Sequence, residues 1–135
     1  ELGVSQVTPL LTDRAERIRT GDVEKLRRHI IEASKQCGRN RLMEIGPPAT
    51  WRTWIEESSG DCKLLAHPGG QPLQSLGDSA AMDVRLAYGP EGGLTADEVR
   101  KAENAGWQAV DLGPRILRVE TAAVSLAAAL ILARP

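Results

Sequence analysis

The sequence predicts an α/β fold, a mostly parallel sheet flanked by helices, built as one domain over residues 1–135. Three observations predict it. Short β-branched or apolar runs alternate with helical segments along the whole chain. Glycine-rich loops follow three successive apolar runs, at 67–70, 89–93 and 112–115. Aromatics are scarce, three Trp, one Tyr and no Phe, so the core must be filled by Leu, Val, Ile and Ala. A chain of 135 residues is long enough to bury one such core.

Taken in order, Glu1-Leu2-Gly3 reads as the tail of a helix with Gly3 at its end, and no initiator Met precedes it. Residues 4–11 form a candidate strand, followed by the polar loop Thr12-Asp13-Arg14. Asp22 is expected to cap a helix that runs to Gln36 or Cys37 and stops at Gly38. Val23, Leu26, Ile30, Ala33 and Cys37 fall on one stripe of it, and Lys25, Arg28, Glu32, Lys35 and Arg39 on another. Residues 42–45 make a short strand closed by Gly46-Pro47-Pro48. Thr50 caps a second helix through Glu57, with Trp51, Trp54 and Ile55 as its apolar side. Residues 63–66 form a strand ending at His67-Pro68-Gly69-Gly70, and a polar loop reaches Ser79. Residues 83–88 form another strand. Thr95 and Glu98 are spaced as a capping box, so a helix begins there and ends before Gly106. Residues 107–112 give the last strand, and a helix over 120–133 closes the chain.

Composition excludes several function classes. Cys37 and Cys62 lie far apart without CxxC spacing, which gives neither a disulfide framework nor a zinc site and fits a reducing, cytoplasmic compartment. With only His29 and His67 besides, no metal site is expected. The start lacks the pattern of a signal peptide. The longest apolar run, 122–133, has twelve residues with Ser125 inside it, against the ~20 that span a bilayer. Net charge is −1, yet residues 1–41 hold nine Lys/Arg against six Asp/Glu while the remainder holds eight against twelve. That asymmetry permits a basic face for nucleic acid and equally suits ordinary solvated helices.

In open parallel sheets, ligands bind beyond the carboxyl ends of the strands. Glycine there lets backbone approach a ligand closely. Three glycine loops at successive strand ends point to a small-ligand cleft. None matches G-x-G-x-x-G or G-x-x-x-x-G-K-[ST], so the dinucleotide and P-loop readings lack their fingerprints.

Two motifs carry the reading further. Gly89-Pro90-Glu91-Gly92-Gly93-Leu94-Thr95 is followed, one helix and one strand later, by Leu112-Gly113-Pro114-Arg115-Ile116-Leu117-Arg118-Val119-Glu120-Thr121-Ala122. Together with Pro9-Leu10-Leu11-Thr12-Asp13-Arg14 and Gln36-Cys37-Gly38-Arg39, they resemble the RsmE-type 16S rRNA (uracil-N3)-methyltransferases of the SPOUT class. The resemblance covers essentially the whole chain. It implies a trefoil-knotted sheet, an exception to the rule against threading, and a homodimer with the knot helices at its interface. It implies S-adenosyl-L-methionine as cofactor, held by Leu65, Ala66 and His67, by Gly89, Pro90, Glu91, Gly92 and Gly93, and by Leu112, Gly113, Arg115, Ile116 and Leu117. The substrate it implies is small-subunit ribosomal RNA during ribosome biogenesis. Full members of that family carry an N-terminal β-barrel that helps dock RNA. That barrel and the start of the knotted domain lie outside the matched residues.

Methylation of a uracil nitrogen needs an in-line approach and loss of the nitrogen's proton. A guanidinium near the uracil carbonyls would stabilise the developing negative charge. Arg118 is the first candidate for that catalytic role and Arg115 the second, with pairing to Glu120 or Glu91 as the structural alternative. Arg14, Arg39 and Arg41 suit contacts to RNA phosphates, which fix register without reading sequence; plain surface solvation competes. Glu120 and Thr121 read as helix-start residues. The rival functions are a non-catalytic RNA-binding or assembly module of the same fold, and a SPOUT enzyme acting on tRNA or on a ribose hydroxyl.

Overall fold

The computed structural model describes residues 1–15, 20–76 and 83–132 of the chain. Strand β1 (Gln6–Val7) and strand β2 (Leu10–Leu11) open it, before helix α1 (Thr20–Cys37). Strands β3 (Glu44–Ile45) and β4 (Ala49–Thr50) run straight into helix α2 (Trp51–Glu57). The central strand β5 (Cys62–Pro72) and a 3₁₀ turn (Leu73–Leu76) follow. Strand β6 (Val84–Tyr88), helix α3 (Ala96–Asn104), strand β7 (Gln108–Asp111) and helix α4 (Val119–Leu132) complete the described chain.

Every strand pair among the described residues is parallel. The expected single sheet is divided, however: β6-β5-β7 form one sheet, and β1-β3 and β2-β4 form two short pairs. The strand expected over 4–11 is one of the segments divided. Pro9 has no N–H to give a ladder, and Pro47 and Pro48 face the same difficulty on the partner segment. Pairing therefore stops after Val7↔Ile45 and resumes at Leu10↔Ala49, where the Ala49 N–H donates to the Pro9 carbonyl at 3.0 Å.

α1 ends before Gly38, as expected, but begins at Thr20, so Asp22 sits in its first turn and does not cap it. Thr50 caps α2 by accepting from the Thr53 N–H. The capping box is complete at α3: the Thr95 hydroxyl accepts from the Glu98 N–H, and the Glu98 carboxylate accepts from the Thr95 N–H at 2.8 Å.

The consecutive residues Leu64 and Leu65 show how the sheet is covered on both faces. Successive strand residues point to opposite sides, and both of these are buried. Leu65 packs with Trp51, Ile55, Ala87, Leu94, Ala102 and Trp107 under α2 and α3. Leu64 packs with Val110 and Leu126 under α4. The two buried indole N–H groups are satisfied by backbone, Trp51 by the Glu98 carbonyl and Trp107 by the Ile55 carbonyl, each at 3.1 Å. Trp54 packs on Trp107 with ring centroids 5.0 Å apart. The tryptophans are thus packing residues.

Candidate functional site

Because β6, β5 and β7 are parallel neighbours, their carboxyl ends share one edge, and the loops at 67–70, 89–93 and 112–118 leave from it. The first of these is not a strand end. Ala66 and Gln71 both pair with Val110, and Pro72 pairs with Asp111. Residues 67–70 therefore arch out of β5, which resumes beyond them. A strand end was expected because a Pro-Gly-Gly run ordinarily stops a ladder. Here it makes a bulge that presses on β7: a Cβ at Gly70 would lie 2.6 Å from the backbone of Ala109 and Val110. Only glycine fits that contact.

A carboxylate ties this bulge to the next loop. Asp111 Oδ2 accepts from the Gly69 N–H and Oδ1 from the Gly113 N–H, both at 2.9 Å. Both donors have left-handed backbone, with φ of +82° and +120°. The Gly69 hydrogen bond first, then that of Gly113, and to a smaller extent the charge of His67, hold the Asp111 carboxyl below the usual carboxylate range. Beneath the tie lies a groove of about 320 Å³ walled by Gly70, Pro72, Leu73, Gln74, Asp111, Leu112, Gly113 and Pro114. A wider, more open groove of about 740 Å³ lies across the bulge, between His67 and the stretch from Gly106 to Ala109.

The expected site residues divide over this landscape. Leu112 and Gly113 line the smaller groove and His67 the wider one. Ala66 stands at the lip of the bulge, paired to Tyr88 and Val110. Leu65 sits inside the sheet, paired to Ala87 and Ala109 with its side chain wholly buried, so any contact it makes with a ligand is through its backbone. Residues 89–93 leave the same edge but line neither groove. They close a tight turn through the Gly93 N–H and the Pro90 carbonyl at 2.8 Å, with Gly89 half-buried and Glu91 and Gly92 exposed. Ile116 is 93% exposed, and Leu117 is half-buried.

Arg115 and Arg118 are exposed, and among the described residues neither guanidinium makes a hydrogen bond or ion pair. The alternative pairing with Glu120 or Glu91 is absent from this structure. Arg14 donates to the Gly92 carbonyl at 2.8 Å, so it braces the 89–93 turn. Arg39 reaches the Gly3 carbonyl at 3.4 Å, and Arg41 is exposed. Among the described residues no group of His, Cys, Asp or Glu is arranged to hold a metal ion.

Two functional-site residues escaped the sequence reading. Asp111 stood inside an apolar run, and its only signal was a charge at the end of a strand one residue before a glycine loop. Glu98 was read as a cap alone. Its Oε1 also accepts from the Asp13 N–H at 2.9 Å, which holds the Thr12-Asp13-Arg14 loop against α3 while the group is 5% exposed.

An α/β domain with its glycine loops gathered at one sheet edge is the class defined so far; the comparisons narrow it. Residues 1–131 match the family described as RNA methyltransferase domain. The ribosomal RNA small subunit methyltransferase E of Synechocystis is 36% identical over 132 residues, 90% of this chain and 43% of its own. That of Mesomycoplasma hyopneumoniae is 30% identical over 93% of this chain and 57% of its own. Among solved structures, a Legionella pneumophila protein described as a methyltransferase, with bound SAM, superposes with a TM-score of 0.85 at 34% identity, covering 98% of this chain and 57% of that one. The Neisseria gonorrhoeae ribosomal RNA small subunit methyltransferase E, bound to S-adenosyl methionine, also gives 0.85, at 29% identity over 96% and 55%. The chain belongs to the RNA methyltransferase domain family. It spans about half the length of the curated relatives it matches.

Proposed function

We propose that this domain transfers a methyl group from S-adenosyl-L-methionine to N3 of a uridine in small-subunit ribosomal RNA. The observation that carries the reading is the sheet-edge cleft, lined by Gly70, Leu112 and Gly113, beyond which Arg115 and Arg118 lead into α4. Its volume, about 320 Å³, falls within the span of small-molecule sites. When bound, the cofactor supplies the sulfonium-borne methyl group. The chain's own part is to hold the uracil in line with it and to stabilise the negative charge that N3 gains as its proton is lost to solvent, before the S–CH₃ bond would break with its electron pair left on sulfur as a neutral thioether. Arg118 offsets that charge, and Arg115 holds the loop or a phosphate. Arg39 and Arg41 lie on the RNA path. The domain works in the cytoplasm, in keeping with Cys37 and Cys62 as thiols.

A homodimer and a threaded C-terminal segment belong to the same reading. After β7, on one side of β5, the chain returns across the sheet edge so that α4 packs against β6 on the other side, and the Tyr88 hydroxyl donates to the Ala123 carbonyl at 3.3 Å. Such a return is what a knot requires. Ile116, Val124 and Leu132, all strongly exposed, supply an apolar seam for a second copy.

The test is methyl transfer to small ribosomal subunits, with product nucleosides separated by mass spectrometry. N3-methyluridine is the expected product, and Arg118→Ala should lower the rate ~100-fold or more with cofactor affinity little changed. Methylation at a ribose hydroxyl or in tRNA would replace the substrate assignment. Cofactor and RNA binding without transfer would leave an RNA-binding module.

A further inference from the structure

The geometry assigns to Asp111 the role of a positioning residue: its carboxylate sets the spacing of the two loops that wall the cleft, and thereby the cleft's fit to the cofactor. The assignment rests on the cofactor reading above. A carboxylate does here what other side chains of its size cannot. The two loops belong to different strands, and the backbone groups they turn to Asp111, the N–H of Gly69 and the N–H of Gly113, are both donors. Two donors cannot hold each other. An ionised carboxylate offers two acceptor oxygens and no donor, and Asp111 uses one oxygen for each loop, at 2.9 Å in both cases.

The Gly113 contact is local, two residues along the chain, and shapes the turn that leaves β7. The Gly69 contact spans 42 residues and fixes the bulge of β5 over it. Both glycines take a left-handed backbone that a side chain would strain, and Gly70 already touches the backbone of β7, so the bulge has no slack toward the sheet. Away from the sheet, the carboxylate is what restrains it. Asp111 belongs to neither apolar cluster, so removing its carboxylate opens no core cavity, and the clamp and the fold can be tested apart.

The experiment is calorimetric titration of the chain with S-adenosyl-L-methionine, for the wild type, Asp111→Ala and Asp111→Asn, with each Tm measured alongside. Asp111→Ala should weaken binding ~10-fold or more, since it loses two charge-assisted hydrogen bonds, while Tm moves by only a few degrees. Asp111→Asn keeps one acceptor and turns an N–H₂ donor toward the other glycine amide, so its affinity should fall between the two. Equal affinity of the wild type and the Asn variant overturns the clamp and leaves the cofactor reading standing. Affinity that falls only in step with Tm makes Asp111 a fold residue and overturns its positioning role. A folded wild type that binds no cofactor overturns the cofactor reading and the clamp with it.

Discussion

Residues 51–132 and residues 1–50 are held by different means. The later part owns nearly the whole interior: both apolar clusters are drawn from it, with Leu10 as the earlier part's contact to the first. The earlier part leaves Val7, Leu11, Leu26, Ile31 and Leu42 between 40% and 48% exposed, and Ser34 is the one buried side chain described on α1. Its short strands pair only with one another, and it is joined to the rest by Leu10 and by a few polar ties, chiefly Glu98 to Asp13 and Arg14 to Gly92. The difference teaches where rigidity is placed. The candidate cleft stands on the densely packed sheet, whereas the basic early segment proposed to meet RNA hangs from it by hydrogen bonds.

Mutations should reproduce that division. The largest effect is expected at Trp107, 3% exposed and hydrogen-bonded to Ile55. Replacing it with Ala should cost about 3–5 kcal/mol in urea denaturation, from lost packing and the cavity left behind. Glu98→Ala comes next, at about 2–3 kcal/mol, because it removes the capping box and the tie to Asp13 together. Hydrogen exchange should then rise at Asp13 and Arg14 more than in β5. Leu26→Ala on α1 should cost less than ~1 kcal/mol, since the side chain is 47% exposed and Ala favours helix. A cost at Leu26 as large as at Trp107 would erase the contrast between the two parts.

The smallest effect is electrostatic. The Asp111 carboxyl has a lowered folded pKa, so its contribution to stability is fully present above the unfolded value of about 3.9 and is lost as pH falls through the folded value. The Tm difference between the wild type and Asp111→Asn should accordingly hold steady from neutral pH down to about pH 5 and shrink below about pH 4. A difference that grows on acidification would contradict the sign.

Where the physics is local, the sequence was readable. The Thr50 cap, the Thr95–Glu98 box, the Trp51, Trp54 and Ile55 side of α2 and the stop of α1 at Gly38 all depend on residues within a turn or two, and all stand where expected. The family was readable from two ordered motifs. Features set by distant partners were not. The split at Pro9 depends on which segment lies opposite, and the extension of β5 to Pro72 depends on Val110 and Asp111 receiving it. The bond from Arg14 to Gly92, 78 residues away, is likewise invisible to a local reading. Asp111 was passed over for the same reason, its second partner lying 42 residues back.

The measurement that bears most directly on the account follows backbone amide signals of the chain while S-adenosyl-L-methionine is added. The shifts should saturate and concentrate at Gly69, Gly70, Leu112 and Gly113, extend into residues 89–93, and leave α1 untouched. Shifts centred on α1 or on Glu103 and Gly106, or no shifts from a folded chain at high cofactor, would contradict a cleft at the ends of β5, β6 and β7.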